Sequence, residues 1–301
     1  MALEYKVFQS QDNADIYYVD QGNGRPLVYV LGFLDTIETA QSLLARWSRR
    51  FRCVFFDHRG FGQTPITEAA GVEQSARDLH ELLVRLDLHD VALVGYSMGG
   101  SVAFSYVEQF GTDRIGRLAL VDTTPKLINE GEWRLGLWQG RYTRSDFDFD
   151  LRVVYENPPL FHMSFYLHAA TPSSPDVAPA FPPADDTEAW LQAIVAKTGL
   201  RDRLARRVFF KDYPLQQREL ERKYWNSMTG GDWLGAPSKI DVPTLCLYAE
   251  PGSFYSPKTG EWLIKQIPGS SLDLIHGSTH FCFKDKFEEF VAKLDDFFSQ
   301  S

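Results

Sequence analysis

Short runs of consecutive apolar residues recur along the first half of the chain, each closed by a turn signal. "PLVYVLG" (26–32), "RCVFFD" (52–57), "DVALVG" (90–95) and "RIGRLALVD" (114–122) have the continuous hydrophobicity of strands buried on both faces. "ADIYYVD" (14–20) alternates instead and ends at "QGNG", the mark of a strand entering a turn. Between these runs the apolar positions return every three or four residues. "TIETAQSLLARWSRRF" (36–51, with Thr36 as candidate N-cap), "GVEQSARDLHELLVRLDL" (71–88) and "GGSVAFSYVEQF" (99–110) are the helices this spacing predicts. Strand and helix in alternation, with strands apolar throughout, predict an α/β fold: a mostly parallel central sheet covered by helices on both faces.

The rhythm breaks after Pro125. Residues 126–240 are rich in aromatics, proline and mixed charge, with helices expected in "TEAWLQAIVAKTGLRDRLARRVFF" (187–210) and "LQQRELERKYWNSM" (215–228). The Pro-dense "TPSSPDVAPAFPPADD" (171–186) suits neither regular helix nor central strand. Alternation resumes with "VPTLCLYA" (242–249), "SPKTGEWLIKQI" (256–267), "SLDLIHG" (271–277) and "KFEEFVAKLDDFF" (286–298). The expected organisation is a core of residues 1–125 and 241–301, interrupted by a mostly helical cap, residues 126–240, after the sixth core strand.

Composition narrows the function. Of 301 residues, 44% are hydrophobic and 24% charged, and the formal net charge is -9. An acidic chain lacks the basic footprint of a nucleic-acid or anionic-membrane binder. The N-terminal segment lacks a basic stretch followed by an apolar run, and no apolar stretch has spanning length, so a cytoplasmic protein without a membrane partner is expected. Cys53, Cys246 and Cys282 have no metal-ligand spacing, and the first and second fall inside strand-like runs as small buried hydrophobes. No metal or organic cofactor is expected, and a monomer or homodimer acting on a small molecule fits.

The chemistry concentrates in "VALVGYSMGGSVAF". Gly95, Ser97 and Gly99 form G-x-S-x-G directly after a strand and before a helix, the context of a nucleophile elbow. Such a turn lifts the Ser97 hydroxyl to a helix N-terminus, where the dipole and free N–H groups favour an oxyanion. A serine needs a general base. Among seven histidines, His280 in "LIHGSTHFCF" lies between a late strand and the final helix, at the carboxyl edge of the sheet. His276 sits at the strand end and is read as structural. His162 and His168 belong to the insertion, where they could line a pocket.

"VLGFLDT", "FFDHRGFGQT", "GYSMGG" and "GSTHF" occur in the order in which the α/β-hydrolase family carries its oxyanion turn, Asp-x-Arg-Gly segment, elbow and catalytic histidine. The chain resembles that family over nearly its whole length. The resemblance implies an acyl-enzyme on Ser97, with His280 as base and the N–H groups of Phe33 and Met98 as oxyanion donors. Leu31 replaces the family's usual oxyanion-turn histidine. The acid is displaced too, because Gly252 stands where relatives carry Asp. Asp122, at the end of "LALVD", is the first alternative, Glu250 the second, and absence of an acid the third. Asp57, Arg59 and Gly60 are read as structural, with Arg59 bonding neighbouring carbonyls. Trp133, Trp138, Phe161 and Phe165 are candidates to line the cleft. The expected activity is hydrolysis of an ester of a medium-sized apolar or aromatic substrate. A C–C bond or thioester hydrolase, an acyltransferase, or a non-catalytic ligand-binding member are the alternatives.

Overall fold

A computed structural model describes residues 3–171 and 181–299, so most of the Pro-dense stretch lies outside the described residues. Among the described residues, eight strands form one sheet: β1 (Lys6–Gln9), β2 (Asp15–Gln21), β3 (Pro26–Val30), β4 (Arg52–Phe56), β5 (Val91–Tyr96), β6 (Ile115–Val121), β7 (Thr244–Gly252) and β8 (Ser270–Thr279). Their order is β1-β2-β4-β3-β5-β6-β7-β8. The two pairings made by β2 are antiparallel and the rest are parallel.

The period-two alternation within the apolar strands sorts their side chains into two cores. Val28, Leu93, Leu118 and Tyr248 face the side covered by α2 (Val72–Arg85) and α3 (Met98–Phe110). Tyr29, Val94, Val121 and Leu247 face the side covered by α1 (Gln41–Trp47) and, near the C-terminus, α12 (Phe287–Ser299). Each strand is therefore apolar on both faces because each face has its own helix layer. All three cysteines are buried and unpaired. Among the described residues, no helix is long and apolar enough to cross a membrane.

The first helix starts later than its pattern predicts, at Gln41 rather than after Thr36. Thr36 and Thr39 form a local turn, Thr39 Oγ1 donating to the Thr36 carbonyl at 2.8 Å. Such short side-chain bonds compete with helical ones. The Asp57 carboxylate accepts the Ile37 N–H at 2.8 Å and holds the turn in place. Arg59 also departs from expectation: its buried guanidinium pairs chiefly with the carboxylates of Asp78 and Asp12. This fixes the segment after β4 to α2.

Residues 122–243 separate β6 from β7. They hold the single turn α4 (Leu137–Gly140), then α5 (Arg144–Glu156), α6 (Pro158–Ala169), α7 (Thr187–Thr198), α8 (Asp202–Phe209) and α9 (Leu215–Gly230), with a 3₁₀ turn at Pro237–Lys239. Gly199, at φ 67°, ends α7 in the left-handed conformation that glycine adopts freely. After β7 come α10 (Pro257–Gln266) and the short α11 (Cys282–Asp285) before α12. Inward aromatics of the insertion, among them Phe161 and Trp225, join the same core as Val28 and Leu93. Phe33, which follows β3, packs against Phe161 and Trp225, and Phe254, which follows β7, packs against Trp138 and Phe165, so residues between β6 and β7 meet the loops at the carboxyl ends of those two strands.

Candidate active site

Ser97 sits between β5 and α3 with φ 53° and ψ −118°, a strained conformation for a residue with a side chain. Close approach enforces the flanking glycines. A Cβ on Gly95 would stand 2.6 Å from the Gly99 carbonyl oxygen, and one on Gly99 would stand 2.1 Å from that of Val30. The same packing presses the turn after β3 onto the elbow, so Phe33 and Met98, the two expected oxyanion donors, belong to adjoining segments. Met98 is the first residue of α3, and its N–H has no acceptor within the helix.

The structure brings Ser97, His280 and Asp122 together. His280 Nε2 lies 2.9 Å from Ser97 Oγ, and His280 Nδ1 lies 2.5 Å from Asp122 Oδ2. All three are buried, Asp122 completely. Asp122 follows β6 with φ 45°, and its N–H bonds the Leu247 carbonyl of the neighbouring strand at 2.8 Å. Its second oxygen accepts the Ser253 hydroxyl at 2.6 Å and the Ala249 N–H at 3.3 Å. Together these donors fix the orientation of the carboxylate, so that one oxygen stays turned toward His280. The imidazole of His280 stacks on Phe254, ring centroids 4.0 Å apart, and faces Tyr96 at 5.3 Å. The Tyr96 hydroxyl bonds the His280 carbonyl.

Glu250 lies elsewhere. It pairs with His276 at 2.9 Å, the His276 side chain exposed and that of Glu250 half-buried. Gly252 has no room for an acid: a Cβ there would stand 2.6 Å from the Ser278 carbonyl oxygen and 2.6 Å from Thr279 Cα. The next two residues, Ser253 and Phe254, instead hold the Asp122 carboxylate and the His280 ring. Sequence reading missed both, and also Gln139, whose left-handed backbone aims its amide at the carbonyls of Ser253 and Tyr255 at 2.7 and 2.8 Å. The insertion thereby grips the loop after β7. The one signal was position: both residues follow the strand whose end borders β6.

Phe33 packs edge-on against Phe161 and Phe165, and Trp138 packs against Phe254. Trp133 is not brought here; its ring meets Trp262, 5.0 Å away. A cavity of about 440 Å³ opens beside Phe33, Phe165 and Phe281, and a smaller one of about 200 Å³ lies beyond Phe165, beside Trp138 and Phe161. Behind the oxyanion turn, His58 Nε2 donates to the Leu31 carbonyl at 3.1 Å. Complete burial pushes His58 down to about 4. Asp35, on the same turn, is pushed up by burial.

A family profile described as alpha/beta hydrolase fold matches residues 25–287. A non-heme chloroperoxidase from Kitasatospora aureofaciens is 36% identical over 121 residues, which are 40% of this chain and 44% of that protein. A non-heme haloperoxidase from Rhodococcus erythropolis is 30% identical over 125 residues, covering 41% and 46%. The chain spans about half the length of the curated relatives it matches. The solved structure of an esterase from Exiguobacterium antarcticum superposes with a TM-score of 0.74 at 20% identity, covering 99% of this chain and 100% of the other, a likeness of fold.

Proposed function

The chain belongs to the α/β-hydrolase family, and from that premise we propose that it cleaves an ester, or a related acyl bond, of a medium-sized apolar or aromatic substrate. The observation that carries this reading is the unbroken buried chain of hydrogen bonds from Ser97 through His280 to Asp122. In the first step His280 Nε2 takes the Ser97 proton while Oγ attacks the substrate carbonyl carbon. The N–H groups of Phe33 and Met98 receive the oxyanion, and His280 returns the proton to the departing alcohol. Water, deprotonated by the same imidazole, then attacks the acyl-enzyme and releases the acid. Asp122 holds the tautomer with its proton on Nδ1 and balances the imidazolium. The aromatic rings of Phe33, Phe161 and Phe165 supply the apolar surface for the substrate body.

Labelling by a fluorophosphonate, followed by intact mass, tests the reading. Wild type takes up one phosphonyl group and turns over an activated aryl ester; Ser97→Ala does neither while keeping its melting profile. A wild type that resists the probe refutes the proposal. The two relatives named as haloperoxidases favour a second reading, oxidation of halide by hydrogen peroxide. Bromination of an indicator dye by wild type and Ser97→Ala, with peroxide and bromide supplied, tests that activity.

A further inference from the structure

The larger cavity ends on a polar cluster that this chemistry leaves unused. His162 of α6, Tyr213 in the loop before α9, and Gln217 and Glu221 of α9 are part of its lining. His162 Nε2 lies 2.8 Å from Glu221 Oε2, and His162 Nδ1 lies 2.8 Å from the Tyr213 hydroxyl. Gln217 Nε2 donates to Glu221 Oε1 at 3.0 Å. Glu221 is 1% exposed, Tyr213 6% and His162 8%. Burying a carboxylate and an imidazole carries a desolvation penalty, and apolar side chains would join α6 to α9 without it.

Counting donors and acceptors decides what the cluster can still bind. In the neutral imidazole, a carboxylate at Nε2 requires the proton there, so Nδ1 accepts from the Tyr213 hydroxyl. The hydroxyl of Tyr213, the N–H of His162 and one N–H of Gln217 are all used inside the cluster. What remains is mainly acceptor capacity, on the Tyr213 oxygen and the Glu221 carboxylate. The complementary group is therefore a donor. A cation is disfavoured, because the Lys211 ammonium already lies over the Tyr213 ring at 5.0 Å and Lys284 lines the same cavity. A neutral hydroxyl fits. The same cavity is also lined by the rings of Phe33, Phe165 and Phe281, which suit an aromatic body.

We infer that His162, Tyr213 and Glu221 form a recognition subsite for a hydroxyl carried by the substrate's aromatic body, remote from the scissile carbonyl. The preferred substrates are then esters of hydroxylated aromatic acids. This rests on reading Ser97 as the nucleophile that serves the cavity, and it extends that reading to a substrate class.

The test compares the methyl esters of phenylpropanoic acid and its para-hydroxy derivative. Wild type favours the hydroxylated ester by about tenfold or more in kcat/KM, mostly through KM. Tyr213→Phe loses that preference and keeps its rate on the unsubstituted ester; Glu221→Gln is the second variant should Tyr213→Phe fail to fold. In parallel, calorimetry on Ser97→Ala compares benzylacetone with its para-hydroxy derivative, ketones that bind without being cleaved. Tighter binding of the phenol with no turnover of either ester by wild type upholds the subsite and removes the hydrolase reading. Equal binding and equal turnover within each pair, or a preference that survives both substitutions, overturns the inference.

Discussion

Replacing Asp122 by asparagine changes one atom and removes one charge, and the surroundings dictate the outcome. The carboxylate accepts from His280 on one oxygen and from Ser253 and Ala249 on the other. An amide has one accepting edge. With its oxygen toward Ser253 and Ala249, its NH₂ faces His280 Nδ1 and selects the tautomer protonated on Nε2. That imidazole presents a donor to Ser97 Oγ where a base is needed. Turned the other way, the NH₂ meets the Ala249 N–H. Neither orientation restores the charge. For imidazolium and carboxylate centred ~4 Å apart, at an effective dielectric of about 20, the lost attraction is about 4 kcal/mol. That corresponds to a slowing of about a thousandfold. Rates of fluorophosphonate labelling and ester turnover measure it, with a thermal melt to show that the fold is kept. Glu250→Gln serves as the control and is expected to match wild type, since Glu250 is 41% exposed and paired with His276. Labelling of Asp122→Asn within about tenfold of wild type, or a collapse in Glu250→Gln, would refute the reasoning.

Two further outcomes are expected. Gly252→Asp, which restores the acid at the position where relatives carry it, gains no rate and loses about 2 kcal/mol or more of stability through backbone overlap; an unchanged urea midpoint would contradict this. His58, held near 4 by burial against an ordinary value of 6.5, makes the fold acid-labile. The unfolded chain takes up that proton first, so stability is complete above about pH 6.5 and is lost progressively as pH falls toward about 4, by about 3 kcal/mol for this group. His168 is held near 4 in the same way, so His58→Gln leaves a shallower slope rather than a flat one. Urea midpoints at about pH 7 and about pH 5 measure it, and equal midpoints in wild type would count against the assignment.

The alternation of apolar runs with helical spacing made the parallel sheet legible, because strands buried on both faces leave a continuous signature. Ser97 and His280 stood out because each lies in a motif tied to a strand end. The acid was harder to find, since a chain shows which residues end strands but not which strands are neighbours. Only the adjacency of β6 and β7 sets Asp122 beside Ser253. Trp133 illustrates the opposite problem: aromatic richness marks the insertion, yet nothing in the spacing says that this ring turns toward Trp262. Thr36 looked like a cap because capping residues and turn formers are the same residues. Tyr213 and Glu221 lie 51 and 59 positions beyond His162 along the chain, and no local pattern joins them to it.

Asp122 is the first residue after β6, on the short connection that leads into the insertion, which makes the insertion less of an interchangeable module than its helices suggest. Thr123, next in line, accepts the Tyr248 hydroxyl through its carbonyl, and its side chain fills the space above Gly100. A recombination experiment that exchanges this segment for that of a relative with its acid after β7 must therefore place the junction beyond Thr124. Joined at the end of the strand instead, the hybrid would inherit a nucleophile and a histidine from one parent and an acid from neither.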